Sequence, residues 1–260
     1  MQSGTSTTPR TFSGFSHSSL AGVVLASDVH CWAALTRTSS SAKNMNDLTI
    51  SELLFEQFCK DNAIPYSRIE QEQHRTPDYD VYFGERLVIA EVKQIDQNEK
   101  DEELREQVRL RGTAIGCEGP GRRVRIKIDS AKKQLKISQY PAILVLYDNV
   151  PIGSIDADDI KTAMYGHETV RLAFLENSED MSVEIEHVGF GSGRKFTPNH
   201  NTTFNAIALL YKFGGSLHLS FFHNIHAKHP IDPSWLRRDM VKHFTLGPQF
   251  QGVFQEWQEV

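Results

Sequence analysis

The chain has 260 residues, 39% hydrophobic and 23% charged, a composition that suits a globular protein built as one large or two small domains. Its formal net charge of −5 supplies no global positive field for nucleic acid, so any basic footprint must be local, and no unbroken apolar run is long enough for a membrane-spanning helix. The three cysteines, Cys31, Cys59 and Cys117, form neither a CxxC metal pair nor an even disulfide set, which points to a reducing, cytoplasmic setting with no membrane partner.

Residues 1–44 are rich in Ser and Thr, hold a single acid, and carry one modest apolar stretch, LAGVVLAS at 20–27. A secretory leader needs a basic region ahead of its apolar core, and only Arg10 precedes this one. A transit peptide would need more arginines. The segment reads as disordered or an over-extended reading frame, with a leader as the alternative, and the organised chain starts near Met45. From Asp47 the run DLTISELLFEQFCKDNAIP places Ile50, Leu54 and Phe58 at helical spacing with Phe55 beside them, capped by Asp47 or Thr49 and closed before Pro65. Leu54 and Phe58 at the centre of the apolar face put Glu52 and Glu56 nearly opposite, in solvent.

The next element is a hairpin. In YDVYFGERLVIAEVK two strand-like runs flank Gly84-Glu85, and glycine at the first central position suits a two-residue type II′ turn, whose first residue takes φ > 0. That turn pairs Phe83 with Arg86, Tyr82 with Leu87, Asp80 with Ile89 and Asp78 with Glu91, so Asp78, Asp80, Glu91 and Lys93 share one face. Opposed carboxylates with Cβ atoms roughly 5 Å apart repel. A hard divalent cation such as Mg²⁺ or Mn²⁺ would remove that penalty, with Lys93 one pleat along to orient or deprotonate a bound water.

Downstream, DQNEKDEELREQ is strongly acidic and reads as a mobile insertion or a solvent-facing helix. A basic segment follows, with Arg122, Arg123, Arg125, Lys127, Lys132, Lys133 and Lys136 against the single acid Asp129. It is either a phosphate-binding surface on or beside a helix over IDSAKKQL or a plain solvated face. PAILVLY reads as a buried strand.

Beyond Val150 the pattern continues with a helix over DADDIKTAM ending near Gly166, and strands over VRLAFLE and SVEIEHV. The glycine-rich GFGSGRKF lacks the endings of a phosphate-binding loop. In PNHNTTFNAIALLYKFGG, Phe204, Ile207, Ala208 and Tyr211 recur at helical spacing after a cap at Asn201 or Thr202, so a helix is expected. The strand-like LHLSFFHNIHAKHP holds His218, His223, His226 and His229. His218 and His223 lie an odd number of residues apart and cannot easily share a metal on a strand, which leaves His223, His226 and His229 as a zinc alternative.

Pro77-Asp78 followed by Glu91-Val92-Lys93 resembles the motif of the PD-(D/E)xK nuclease superfamily, whose hairpin is preceded by a helix and followed by a second helix and a buried strand. The resemblance covers residues about 47 to 149. AMYG, TPNHNTT and FHNIHAKHPI also resemble stretches of bacterial proteins that carry the same motif upstream. It implies an α/β fold, a restriction-endonuclease-like mixed sheet flanked by helices, with a nuclease-like core at 45–150 and an α+β extension at 151–260 that completes the fold or binds a partner. It further implies Asp78 and Glu91 as ligands of Mg²⁺ or Mn²⁺, Lys93 as the group that activates water and stabilises phosphate charge, and Gln134 as a positioning residue on the second helix. Glu52 or Glu56 corresponds to the glutamate that many members carry on the first helix. The implied activity is phosphodiester hydrolysis, with DNA rather than RNA as partner, in a chain that allows a homodimer. The rivals are a non-cutting nucleic-acid-binding or protein-interaction module on the same fold, and a zinc enzyme built on the C-terminal histidines.

Overall fold

A computed structural model describes residues 48–70, 76–113, 119–135, 139–150, 154–174, 183–250 and 252–260. The segment 1–44, Cys31, Cys117 and Lys136 lie outside the described residues. From Asp47 to Val260 the chain is one compact α/β unit, in which an eight-stranded mixed sheet is flanked by helices.

Helix α1 (Ile50–Asp61) starts at Thr49, whose side chain accepts from the Glu52 backbone N–H while the Glu52 carboxylate accepts from the Thr49 N–H. Its buried residues are Ser51, Phe55, Phe58 and Cys59, whereas Ile50 and Leu53 are exposed. At 100° per residue this turns the apolar face about 60° from the expected one. The reason is the aromatic anchor beneath it: Phe55 meets Tyr79 edge-on with ring centroids 5.3 Å apart, and burying such a side chain stabilises by roughly 1.5–3 kcal/mol. Three antiparallel strands follow, β1 (Tyr66–Arg68), β2 (Tyr79–Phe83) and β3 (Arg86–Ile95). Helices α2 (Glu99–Arg111) and α3 (Arg122–Leu135) then lead to β4 (Ala142–Asp148), parallel to β3. The acidic segment is thus a solvent-facing helix, with no buried residue in α2.

The sheet continues without a break past residue 150. After α4 (Ala157–Tyr165) and a separate two-stranded ribbon, β5 (Glu168–Phe174) and β6 (Val183–Phe190), the chain returns as β7 (Phe204–Phe213), which lies parallel to β4. Strands β8 (Ser216–His223), β9 (Val241–Leu246) and β10 (Trp257–Glu259) complete the order β1-β2-β3-β4-β7-β8-β9-β10.

Residues 204–213 are therefore a strand, not the expected helix. Apolar positions at 204, 207, 208 and 211 are also met by a continuous apolar run, and here both faces of that run are buried. Ala206, Ala208 and Leu210 join the core on the α1 side, while Phe204 and Ile207 join the core under α3 and α4. The glycine stop is a hairpin turn, in which Gly214 and Gly215 both take positive φ, 58° and 86°.

Two cores thus lie on opposite faces of one sheet. Val88, Ala90 and Val92 of β3 point toward α1, and Ile89 points with Leu144 and Leu146 of β4 toward α3 and α4. Alternation then assigns Glu91 and Lys93 to the α3 side.

Candidate functional site

The hairpin fixes the site. Gly84 has φ 64° while Glu85 does not enter the positive region, as a type II′ turn requires, and the pairs Phe83–Arg86, Tyr82–Leu87 and Asp80–Ile89 form as expected. Regular pairing ends at Tyr79–Ala90; Asp78 stands one step beyond, where its Oδ2 accepts from the Val92 N–H at 2.8 Å. The aspartate is thereby clamped to the strand that carries Glu91.

Glu91 is fully buried, with a side-chain exposure of 0%. Its Oε1 is in contact with the Lys93 ammonium, while no backbone or side-chain N–H reaches Oε2. Burial, reinforced by the Asp78 charge, pushes its acid up to about 8 despite Lys93. Asp78 is also raised, again by burial first, although the Val92 N–H and Lys93 pull the other way. A buried carboxylate with one oxygen left without a donor is costly, and in native proteins such a group needs a reason. Two convergent carboxylates offering hard oxygens suit a Mg²⁺- or Mn²⁺-sized ion, which takes one or two carboxylates and keeps several waters. Among the described residues no group of three or more His, Cys, Asp or Glu side chains could hold a metal.

Helix α3 carries the rest of the predicted set, but not on one surface. Its buried residues are Val124, Ile128, Ala131 and Leu135. Taken at 100° per residue, Arg123, Lys127 and Gln134 fall on one flank of that stripe, Arg125 and Lys132 on the other, and Arg122 and Lys133 face outward. Lys127 is close enough to Asp96 and Lys93 for both charges to act on it, and burial, with Lys93, lowers its pKa below the ordinary lysine value. Gln134 is about 10 Å farther along the same flank. Arg123 is held by Asp101 of α2 at 2.6 Å, and Lys132 lies 3.1 Å from His200 on the far side. The basic segment is thus divided by its helix, and only the Lys127 flank faces Lys93.

The first-helix glutamates are drawn partly out of solvent, Glu56 to a side-chain exposure of 13% and Glu52 to half-burial. Glu52 spends its carboxylate on the α1 cap, yet it is near enough to Asp78 to raise it. Glu56 accepts from Arg68 at 2.7 Å and from the Tyr66 and Tyr79 hydroxyls at 3.1 Å each. Burial works to raise the Glu56 acid, but the Arg68 and Tyr79 hydrogen bonds outweigh it and hold it below the usual value. The rotation of α1 is the cause of both placements.

The histidines do not gather. His223 is buried and pairs through Nε2 with Nδ1 of His243 at 2.9 Å, His226 stacks edge-on against Tyr165, and His218 stacks on Tyr211. His243 lay outside the sequence reading, because nothing in a single polar residue on an unassigned strand marks it as a partner. Cys59 is a buried thiol pushed up to about 12 by burial, a core residue and not a nucleophile. Comparisons of the chain with protein-family models, curated proteins and solved structures found no match.

Proposed function

We propose that this chain is a Mg²⁺- or Mn²⁺-dependent nuclease of restriction-endonuclease-like fold that hydrolyses phosphodiester bonds, with DNA as the substrate. The observation that carries the reading is the fully buried Glu91 carboxylate, met by the Lys93 ammonium on one oxygen and by no N–H on the other, set beside Asp78 at the end of one hairpin. The element order supports it: a helix, three antiparallel strands, a helical crossover and a parallel buried strand follow one another as that superfamily resemblance implies.

In this reading Asp78 and Glu91 hold the cation, which when bound supplies Lewis-acid polarisation of the phosphodiester and a water of lowered pKa. Lys93, on the same face one pleat beyond Glu91, orients the attacking water and offsets charge on the phosphate. Lys127 adds positive charge from α3, and Gln134 positions the strand farther along that flank.

The test is plasmid, linear, single-stranded and branched DNA incubated with Mg²⁺ or Mn²⁺, with wild type beside Lys93→Ala. Cleavage by wild type and its loss in the variant are expected; identical behaviour on every substrate rejects catalysis at this site. The rival, a nucleic-acid-binding or protein-interaction module that does not cut, is favoured by one observation, that among the described residues only two carboxylates converge and no third ligand joins them. DNA binding without cleavage, and without divalent-ion uptake in calorimetry, would select it.

A further inference from the structure

Lys93 does more in this structure than wait beside a metal site. A fully buried carboxylate needs a compensating charge, and the only one in contact with Glu91 among the described residues is the Lys93 ammonium on Oε1. Two residues apart on one strand, the two side chains lean along the same face of the sheet. The ammonium therefore occupies a position on the carboxylate that a metal ion would need. Lys93 itself is not enclosed: its side chain keeps 22% exposure on a long, flexible stem, whereas Glu91 has no route out. Of the pair, the lysine is the partner that can leave. The Lys127 charge nearby also opposes a permanent cation at this spot, while Asp96 gives the region a carboxylate outside the pair.

We propose that Lys93 is a place-holder for the divalent cation: in the metal-free protein its ammonium occupies the Glu91 carboxyl oxygen and compensates that group whenever it is ionised, and an incoming ion must displace it. Loading the site and releasing Lys93 toward the phosphodiester are then one event. The general acid–base or phosphate-binding lysine is unavailable until the ion is in place, so the protein is silent when empty. The idea rests on the nuclease reading for the ion, but it concerns a competition that can be measured without substrate.

The measurement is calorimetric titration of the full-length protein with MgCl₂ and with MnCl₂, for wild type, Lys93→Met and Glu91→Gln. Removing the competing ammonium should tighten binding about tenfold, equivalent to about 1.4 kcal/mol, whereas Glu91→Gln should abolish it. A second readout uses the intact wild type: amine-directed labelling of Lys93, followed by mass spectrometry, should rise on adding Mg²⁺ as the ion pair opens. Wild type that binds the ion, with Lys93→Met binding no tighter or with Lys93 labelling unchanged, overturns the place-holder and leaves the metal site standing. Absence of ion binding in both proteins removes the nuclease reading and the place-holder with it. Binding only in Lys93→Met supports the competition in its strongest form.

Discussion

Glu91 should make the metal-free protein less stable as pH rises across the neutral range. Its acid is raised from the ordinary 4.5 to about 8 in the fold, so the protonated form is favoured in the native state. For a raised group the stabilisation is fully present below the unfolded value and is lost as pH climbs through the folded one, a window here of about 4.5 to 8. At pH 7, some 2.5 units above the unfolded value, the loss is about 3 kcal/mol at 1.36 kcal/mol per unit. For a domain of this size that lowers the melting temperature by about 6–12 °C. Glu91→Gln keeps the shape without the titration. Thermal melts in EDTA from pH 5 to 8 should show wild type falling progressively against the variant, with a slope approaching 1.4 kcal/mol per pH unit. The Lys93 ammonium left without its partner offsets the variant's curve but not the slope. A difference that stays flat over the range would refute the burial argument for this carboxylate.

The buried His223–His243 pair predicts an opposite slope on the acid side. His243 Nε2 lies 3.0 Å from the Leu236 carbonyl and must donate to it, so its Nδ1 accepts from His223, and burial, with the His243 charge, pushes His223 down to about 4. Its stabilisation is present above about 6.5 and lost as pH falls toward 4; circular-dichroism melts of wild type against His223→Gln should converge over that window, and parallel curves would count against the pair. Gly121→Ala should be severely destabilising, because a Cβ there would lie 2.7 Å from the Asp159 carbonyl and 2.8 Å from the Ala163 nitrogen at φ +68°. Gly84→Ala, at φ +64° with nothing within 4 Å, should cost only about 1–2 kcal/mol, and equal melting losses for the two would deny the close approach of α3 to α4. If the Lys127 flank meets DNA, Lys127→Ala should reduce the salt slope of binding by about one while Lys133→Ala leaves it unchanged; filter binding from 50 to 200 mM salt that ranks them the other way would move the DNA contact to the outer face.

What the residues revealed in advance was local geometry. A two-residue turn built on Gly84 dictates its own register, and with it the shared face of Asp78, Glu91 and Lys93. What stayed hidden depended on partners far away in the chain. The rotation of α1 was set by Tyr79, not by the helix's own pattern, and left Glu52 half-buried and Glu56 engaged by Arg68 and two tyrosines. The FNAIALLY run satisfied helix and strand spacing alike, and only its place between β4 and β8 decides the matter. Repulsion between Asp78 and Glu91 was legible; complete burial of Glu91, which follows from α3 covering that face, was not. The basic residues looked like one patch in linear order, and a helical period of 3.6 distributes the six described ones over both flanks and the outer face of α3.

The direct pairing of β4 with β7 has a consequence for how the chain acquires its structure. The hairpin carrying Asp78 and Glu91 closes over a few residues, but the strand that covers the far side of β4 ends at Phe213, so Leu144 meets Ile207 only after some sixty intervening residues are made. Non-local parallel pairing is slow, and until it forms β4 offers an apolar open edge. On the ribosome, the hairpin that carries the carboxylates would therefore exist well before the sheet is complete, and the electrostatic tension in that pair would arise only once α3 covers its face.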